Sequence, residues 1–568
     1  MPSYERADKP IHEPRQLKVI CIGAGASGLL LAYKLQRSFE KFELTVYEKN
    51  EDISGTWLEN NYPGCACDVP AHAYTFSFEP NPNWSSVYAG SKEIRQYFVS
   101  FSAKYELSKY IKLCHRVSKA VWDEIKGVWD VEVTNLADGT VIRDSCNMLV
   151  NATGILNTWR WPAIPGLQDY KGTCLHTANW DESVDLTGKH VGLIGNGSSA
   201  IQVLPAILPI VDKVTSFIRS PTWVSPVRAL ESRMYTEEER AKFANDPQAL
   251  LNYRKELETG TNEIYPLFIS DSAAQKATFE SMSAIMKEKL QREDLENLVI
   301  PTWPVGCRRL TPGVNYLESL GSSQVEVVYG EIQKITEKGC VSNGQEYPVD
   351  ILICATGFDT SFKPRFSVIG SKGKNLADVW NIEPKCYLGF AVPDFPNYFT
   401  ICGPGSPSGN GPFLIAVEAQ ADYMLKMMNR WQTENIHSFS PKAEAVEDFI
   451  AFRDEYMKKT VWSGGCRSWY KNNTVSGKVI ALWPGSTMHH LEALAEPRYE
   501  DWNFKYVGNR FAFLGNGFSQ AESDKTADHA YYIRNGDDGP LISRVKQIKV
   551  TSKSGTVSRR NSGDAIVF

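Results

Sequence analysis

The sequence predicts an α/β fold with two Rossmann-like, doubly wound dinucleotide-binding domains, the second inserted in the first, plus a helical insertion. Three observations carry this. Two glycine-rich turns, Gly23-Ala24-Gly25-Ala26-Ser27-Gly28 and Gly195-Asn196-Gly197-Ser198-Ser199-Ala200, each follow an apolar run suited to a buried strand and open a segment with helical spacing. An apolar strand ending in Ala-Thr-Gly occurs twice, at 147–154 and at 350–357. Residues 230–298 shift to Glu, Lys, Arg, Ala and Met with few strand formers, which reads as helical. At 568 residues the chain is too long for one core and suits two or three associated domains.

Residues 1–15 form a polar, proline-containing arm. A strand at 18–22, a helix at 27–38 and a strand at 43–47 make the first half of a doubly wound sheet. Alternating Val and Trp between 117 and 134, around Lys126-Gly127, predict an antiparallel hairpin. Pro162 and Pro165-Gly166 mark a linker. The second unit has a strand at 190–194, a helix from Ser198 and a strand at 213–218. The expected division is an arm at 1–15 and a first dinucleotide domain from 16–160 with 367–535. A second domain comprises 161–228 with 300–366. The helical insertion spans 229–299, and a polar tail covers 536–568.

Bulk properties exclude several classes. A net charge of −5 gives no reason to propose nucleic acid or an anionic membrane as partner. No apolar stretch suits a secretory leader near Met1, and none is long enough to span a bilayer. The twelve cysteines are scattered, many in apolar runs (Cys21, Cys354, Cys402), as expected of reduced, buried thiols. Cys65-Ala66-Cys67 lacks the spacing of a redox pair or a zinc site, so no metal is expected. These features predict a soluble, intracellular enzyme of the cytoplasm. They say nothing of its oligomeric state.

In the first turn, Gly23 permits the tight bend, Gly25 the approach of a pyrophosphate and Gly28 close helix–sheet packing. The helix N-terminus offers free N–H groups to phosphates. Glu48, twenty residues beyond Gly28, is placed for ribose hydroxyls. The second turn ends in alanine rather than glycine. After its following strand come Arg219 and Ser220, where an NAD site would want a carboxylate, so a 2′-phosphate and NADPH are favoured. Each feature has a plainer alternative: a turn without ligand, or arginines that are solvated surface charges.

Ser54-Gly55-Thr56-Trp57 and Tyr62-Pro63-Gly64-Cys65-Ala66-Cys67-Asp68 extend the first site. Here the chain resembles the flavin-dependent monooxygenases, and within them the Baeyer–Villiger type. Tyr170-Lys171-Gly172-Thr173-Cys174-Leu175-His176-Thr177-Ala178-Asn179-Trp180-Asp181 fits that type's fingerprint F-x-G-x-x-x-H-x-x-x-W-[P/D], with Tyr170 for phenylalanine. The segments at 481–486 and 497–502 look like the fungal branch. The resemblance covers most of residues 17–520.

It implies FAD at the first site, with Thr56, Trp57, Leu58, Glu59, Asp68, Tyr74 and Val117 joining Gly23, Gly25, Gly28 and Glu48. It implies NADPH at Gly195, Asn196, Gly197, Ser198, Ser199, Ala200, Ile201, Arg219 and Ser220, with Ala66, Cys67, Arg308 and Trp469. Gly172, His176 and Trp180 become a fingerprint at the domain joint, with His176 a hinge rather than a catalyst. Gly306-Cys307-Arg308-Arg309-Leu310 matches the family's segment bearing the active-site arginine, here Arg309, which Asp68 would orient. The implied chemistry converts a ketone to an ester or lactone with NADPH and O2, through a peroxide at flavin C4a. The peroxide must stay anionic, which a permanently protonated arginine allows. A bulky secondary-metabolite ketone is the implied substrate. An N- or S-oxygenating enzyme on the same scaffold is the alternative, followed by a non-catalytic NADP(H)-sensing flavoprotein.

Overall fold

The computed structural model describes residues 7–225, 232–530, 532–533 and 535–536. The first six residues of the expected arm, residues 226–231 and the tail beyond Gly536 lie outside the described residues.

Two five-stranded parallel sheets frame the molecule. The first runs Tyr398–Thr400, Met148–Asn151, Leu17–Ile22, Phe42–Tyr47, Ile111–Lys112. The second runs Val325–Tyr329, Lys213–Ile218, His190–Ile194, Ile351–Cys354, Thr173–His176. In each, the central strand leads into a glycine turn and then a helix, Ala26–Ser38 or Ser198–Ile207. Both turns therefore sit at the carboxyl ends of parallel strands, where doubly wound sheets bind ligands. Covered on both faces, the strands read as apolar runs; in Leu17–Ile22 only Lys18 is less than fully buried. Tyr398–Thr400 joins the first sheet from far along the chain, so the second sheet is laid between two stretches that build the first.

The expected hairpin forms as His115–Asp123 against Val128–Asn135, within a sheet that also takes Val141–Cys146 and Ser367–Ile369. Between 232 and 300 the chain forms helices Glu237–Asn245, Pro247–Glu263, Ala273–Leu290 and Glu293–Val299. Thr236 and Glu239 close a capping box on the first of these, and Asp246 caps the second with Pro247 in its opening turn. Arg254 clamps this helical region to the loop at 72–77, donating to the carbonyls of His72, Phe76 and Ser77 and to Thr75 Oγ1. Among the described residues, no helix is long and apolar enough to cross a membrane.

The cysteines depart from expectation. Cys307 and Cys466 form a disulfide across 159 positions, while the other ten are free. The two meet because the turn before Arg308 and the segment before Trp469 both pack on the core of the second sheet, through Val305, Val461, Trp462 and Tyr470. Scattered cysteines carry no pairing signal in sequence.

Candidate active site

Both glycine turns open on one cavity of about 1460 Å³, larger than a single small-ligand pocket. Gly23 has φ +104° and Gly195 φ +113°, a left-handed region that favours glycine. A Cβ would lie 2.7 Å from the Ala152 carbonyl oxygen in the first turn and 2.6 Å from that of Ala355 in the second. Gly23 N–H donates to the Tyr47 carbonyl at 2.8 Å, and Gly195 N–H to that of Phe217 at 3.1 Å.

Around the first turn, the Glu48 carboxylate accepts Ala24 N–H at 2.8 Å and Asn50 N–H at 2.9 Å. Burial nevertheless holds it above the usual carboxylate range, against those two bonds. Gly25 faces Gly55, and the short helix Thr56–Glu59 follows. Trp57 Nε1 donates to Tyr74 Oη at 3.2 Å, edge-on to its ring. Glu59 accepts from Asn50 and Asn157 and pairs with Lys49 at 3.0 Å. Tyr74 and Val117 line the same wall.

Around the second turn, Asn196 Nδ2 donates to the Ser220 carbonyl at 2.7 Å. Ser198 Oγ lies 2.6 Å from Thr311 Oγ1. Gln202 donates to the Ala66 carbonyl and accepts from Tyr62, which ties this helix to the 62–68 loop. Exposed Arg219 and half-buried Arg308 face the cavity beside Ser220. Arg308 donates to the Pro221 carbonyl at 2.7 Å and reaches Ser220 Oγ at 3.4 Å, while its Nε is buried with no hydrogen-bond partner. Burial first, and the Arg219 charge second, pull Arg308 down to about 10. Two guanidiniums with a hydroxyl, and no ion pair to either among the described residues, are the donor set that could hold a phosphate.

Between the turns, Arg309 Nε and Nη2 donate to the two carboxylate oxygens of Asp68 at 2.7 and 2.8 Å. The bidentate pair fixes the guanidinium plane and leaves its remaining N–H groups for the cavity. The Asp68 charge, with its hydrogen bonds, holds Arg309 above its ordinary value against burial, so it stays protonated at any working pH. Trp469 and Tyr470 line the cavity beside it.

The fingerprint stands apart from the cavity. Tyr170 Oη donates to the Val349 carbonyl at 2.8 Å, and a side chain at Gly172 would strike that tyrosine. His176 is fully buried, stacked on Trp159 at 4.7 Å and edge-on to Trp161. Ala178 N–H donates to His176 Nδ1 at 3.1 Å, so Nε2 carries the proton and donates to Thr356 Oγ1 at 3.2 Å. Burial lowers this histidine to about 4, so it is neutral. Gly172, His176 and Trp180 do not line the cavity, but Thr356 and Trp161 do.

Three residues expected at the nucleotides do not reach the cavity: Gly28, Leu58 and Ala200. Gly28 packs against the Gly23 carbonyl, and Ala200 is wholly buried in the second core. Leu58 falls on the far side of its short helix from Thr56, Trp57, Glu59 and Asn60, as the 3.6-residue period requires. Sequence reasoning missed Ala152-Thr153-Gly154 and Ala355-Thr356-Gly357, which flank the two turns and line the cavity. Their repetition was the available signal.

Comparison with known proteins agrees with this geometry. A model of NAD(P)-binding Rossmann-like domains matches residues 21–90. An FAD-binding monooxygenase of Aspergillus terreus, tazF, is 40% identical over 541 residues, covering 93% of this chain and 96% of the relative. A Baeyer–Villiger monooxygenase of Pseudomonas aeruginosa is 34% identical over 476 residues, covering 83% of this chain and 88% of the relative. The crystal structure of cyclohexanone monooxygenase from Rhodococcus sp. Phi1, bound to NADP+, superposes with a TM-score of 0.75 at 25% identity. It covers 87% of this chain and 100% of that one.

Proposed function

Since the chain belongs to the FAD-dependent monooxygenase family that includes the Baeyer–Villiger enzymes, we propose that it inserts one oxygen atom beside a ketone carbonyl, using NADPH and O2. The product is an ester or lactone. The observation that carries this reading is the Arg309–Asp68 pair, set between two nucleotide cradles and open to their shared cavity.

FAD would be held at the first turn, within a domain of residues 16–160 and 367–535, with Gly23, Gly25 and the N-terminus of helix Ala26–Ser38 offering backbone N–H groups to its phosphates. Thr56, Trp57, Glu59, Asp68, Tyr74 and Val117 contact the rest of it. NADPH takes the second turn, within a domain of 161–228 and 300–366, along Gly195 to Ile201. Arg219, Ser220 and Arg308 hold its 2′-phosphate, supplying the partner that the Arg308 Nε lacks. Ala66, Cys67 and Trp469, on the cavity wall, would contact its nicotinamide half. When bound, FAD passes two electrons from NADPH to O2 and supplies the activated oxygen.

The residues then act by charge and position. Arg309 holds an anionic oxygen and the alkoxide that forms after attack on the carbonyl, and it donates hydrogen bonds without giving up its proton. Asp68 fixes its plane; removing one partner of a fully buried pair costs about 3–5 kcal/mol, and less here because the pair opens to the cavity. His176, neutral and clamped between Trp159 and Thr356, joins the linker to the second sheet and transmits domain rotation. The substrate in this reading is a bulky secondary-metabolite ketone, with Ser408, Phe413 and Leu482 on the cavity wall. The enzyme acts in the cytosol.

The test is mass spectrometry of products from a panel of ketones incubated with NADPH under 18O-labelled dioxygen. One labelled oxygen per product ester supports the reading. Labelled N- or S-oxides without esters would move it to heteroatom oxygenation, and NADPH consumption with no oxygenated product would refute it.

A further inference from the structure

The Cys307–Cys466 disulfide is the one covalent tie, among the described residues, between segments far apart in sequence. Its placement is more specific than stability requires. Cys307 immediately precedes Arg308 and Arg309. Cys466 stands three and four residues before Trp469 and Tyr470. All four of those neighbours line the cavity, while both cysteines are fully buried behind it.

The two segments have little regular structure of their own. The arginine segment is a turn closed by Cys307 N–H on the Pro304 carbonyl, with a two-residue strand at Thr311. The tryptophan segment is a loop with a single 3₁₀ turn at Trp469–Lys471, held by Ser468 N–H on Thr474 and by Lys471 on the Gly464 and Val475 carbonyls. Its outer bonds involve Thr360 rather than the arginine turn: Thr360 Oγ1 donates to Asn472 Oδ1 and accepts from Asn473 Nδ2. The covalent join between the two segments is the bridge, beside which Gly464 packs on the Cys307 sulfur and on Pro304.

We propose that Cys307 and Cys466 are positioning residues. Their bridge holds the turn carrying Arg309 in register with Trp469 and Tyr470, and opening it releases that register while both glycine turns, which no part of the bridge touches, stay built. The inference rests on the assignment of Arg309 as the active-site cation. Opening is a two-electron reduction: a dithiol gives up two electrons and two protons, becomes a cyclic disulfide, and leaves one thiol on each cysteine. Burial keeps the bridge from the solvent, as the reducing poise of a cytosol demands of any disulfide that persists there.

The test compares purified FAD-loaded wild type, wild type reduced with dithiothreitol until peptide mapping shows the bridge open and then freed of reagent, the same protein reoxidised with oxidised glutathione, and a C307S/C466S variant. Readouts are anaerobic flavin bleaching by NADPH, and ester and hydrogen peroxide formed per NADPH. A small loosening of a reacting group suffices for a large loss, since a 1 Å misplacement costs about 100-fold. The expected result is near-normal bleaching at saturating NADPH, with ester per NADPH down by roughly tenfold and peroxide correspondingly up, in both reduced and variant enzymes. Reoxidation restores the wild type, and dithiothreitol leaves the variant unchanged.

Mapping that finds both thiols free in the untreated protein overturns the proposal. So does an opened bridge with unchanged ester yield, because a merely structural bridge lowers the melting temperature and not the partition. If the variant does not fold, the reduced and reoxidised wild type decide. If untreated wild type with an intact bridge makes no ester from any ketone, the parent assignment of Arg309 has failed instead, and the bridge loses its stated role with it.

Discussion

The two nucleotide units are built alike down to single hydrogen bonds, and they differ at the residues that would choose a cofactor. In both, a glycine at positive φ donates to the end of the next strand and presses on the carbonyl of an Ala-Thr-Gly strand. The strand register pairs Ile22 with Tyr47 and Ile194 with Phe217, so the next positions, Glu48 and Ile218, correspond. The first unit has a buried carboxylate there, already bound to two backbone N–H groups. The second has an aliphatic side chain, with Arg219 one residue on. The helices differ too. A Cβ at Gly28 would come within 2.0 Å of the Gly23 oxygen, whereas Ala200 carries one in the same position of its turn. Shared backbone chemistry thus makes two cradles, and a few side chains at the strand ends make them different.

The largest effects should come from breaking one cradle at a time. Gly23→Ala puts a methyl against the Ala152 carbonyl in a conformation that L-residues rarely adopt. The purified protein should lose its flavin absorbance. Gly195→Ala should leave the protein yellow and raise the KM for NADPH by an order of magnitude or more. If both variants lose FAD equally, the units are not independent sites.

A smaller effect sharpens the electrostatic contrast. Arg219→Ala should raise the KM for NADPH about tenfold and leave that for NADH within about twofold, as loss of a charge-assisted phosphate contact predicts. Equal effects on both would remove Arg219 from the 2′-phosphate. Asp68→Asn should keep NADPH binding but lower the rate of ester formation by about tenfold, because Arg309 loses its fixed plane. A fall in NADPH affinity alone would place Asp68 at the nucleotide instead.

The smallest effect is shared by both halves. His72, beneath the helical region, and His176, beside the second sheet, are both lowered by burial to about 4. Each binds a proton more readily when unfolded, so stability is full above about 6.5 and is lost as the pH falls toward 4. The melting temperature should fall by several degrees over that window. In His176→Asn, which cannot titrate, the fall should be shallower; an unchanged slope would show that His176 does not contribute.

Much of this was legible in sequence because backbone geometry leaves local marks. The turns at 23 and 195 need glycine in a short, readable pattern, and the hairpin at Lys126-Gly127 follows from alternation. The Arg309–Asp68 contact, across 241 positions, was reached only through resemblance to a family. The Cys307–Cys466 bridge was missed outright, since pairing depends on which core two distant segments share. Leu58 was carried over in a contiguous run and does not line the cavity, because one face of a four-residue helix meets it. Local rules find cradles; the groups that act between them come from tertiary packing.

With Arg309 as the cation on which oxygen transfer rests, electron delivery and oxygen transfer should be separable. The most direct measurement is stopped-flow kinetics of FAD-loaded Arg309→Ala, with NADPH mixed anaerobically and then with oxygen and ketone. Flavin reduction should stay within about tenfold of wild type and ester formation should fall by about 10²–10³-fold, the scale of losing a dedicated oxyanion donor. Ester formation that survives the substitution at wild-type yield would contradict it.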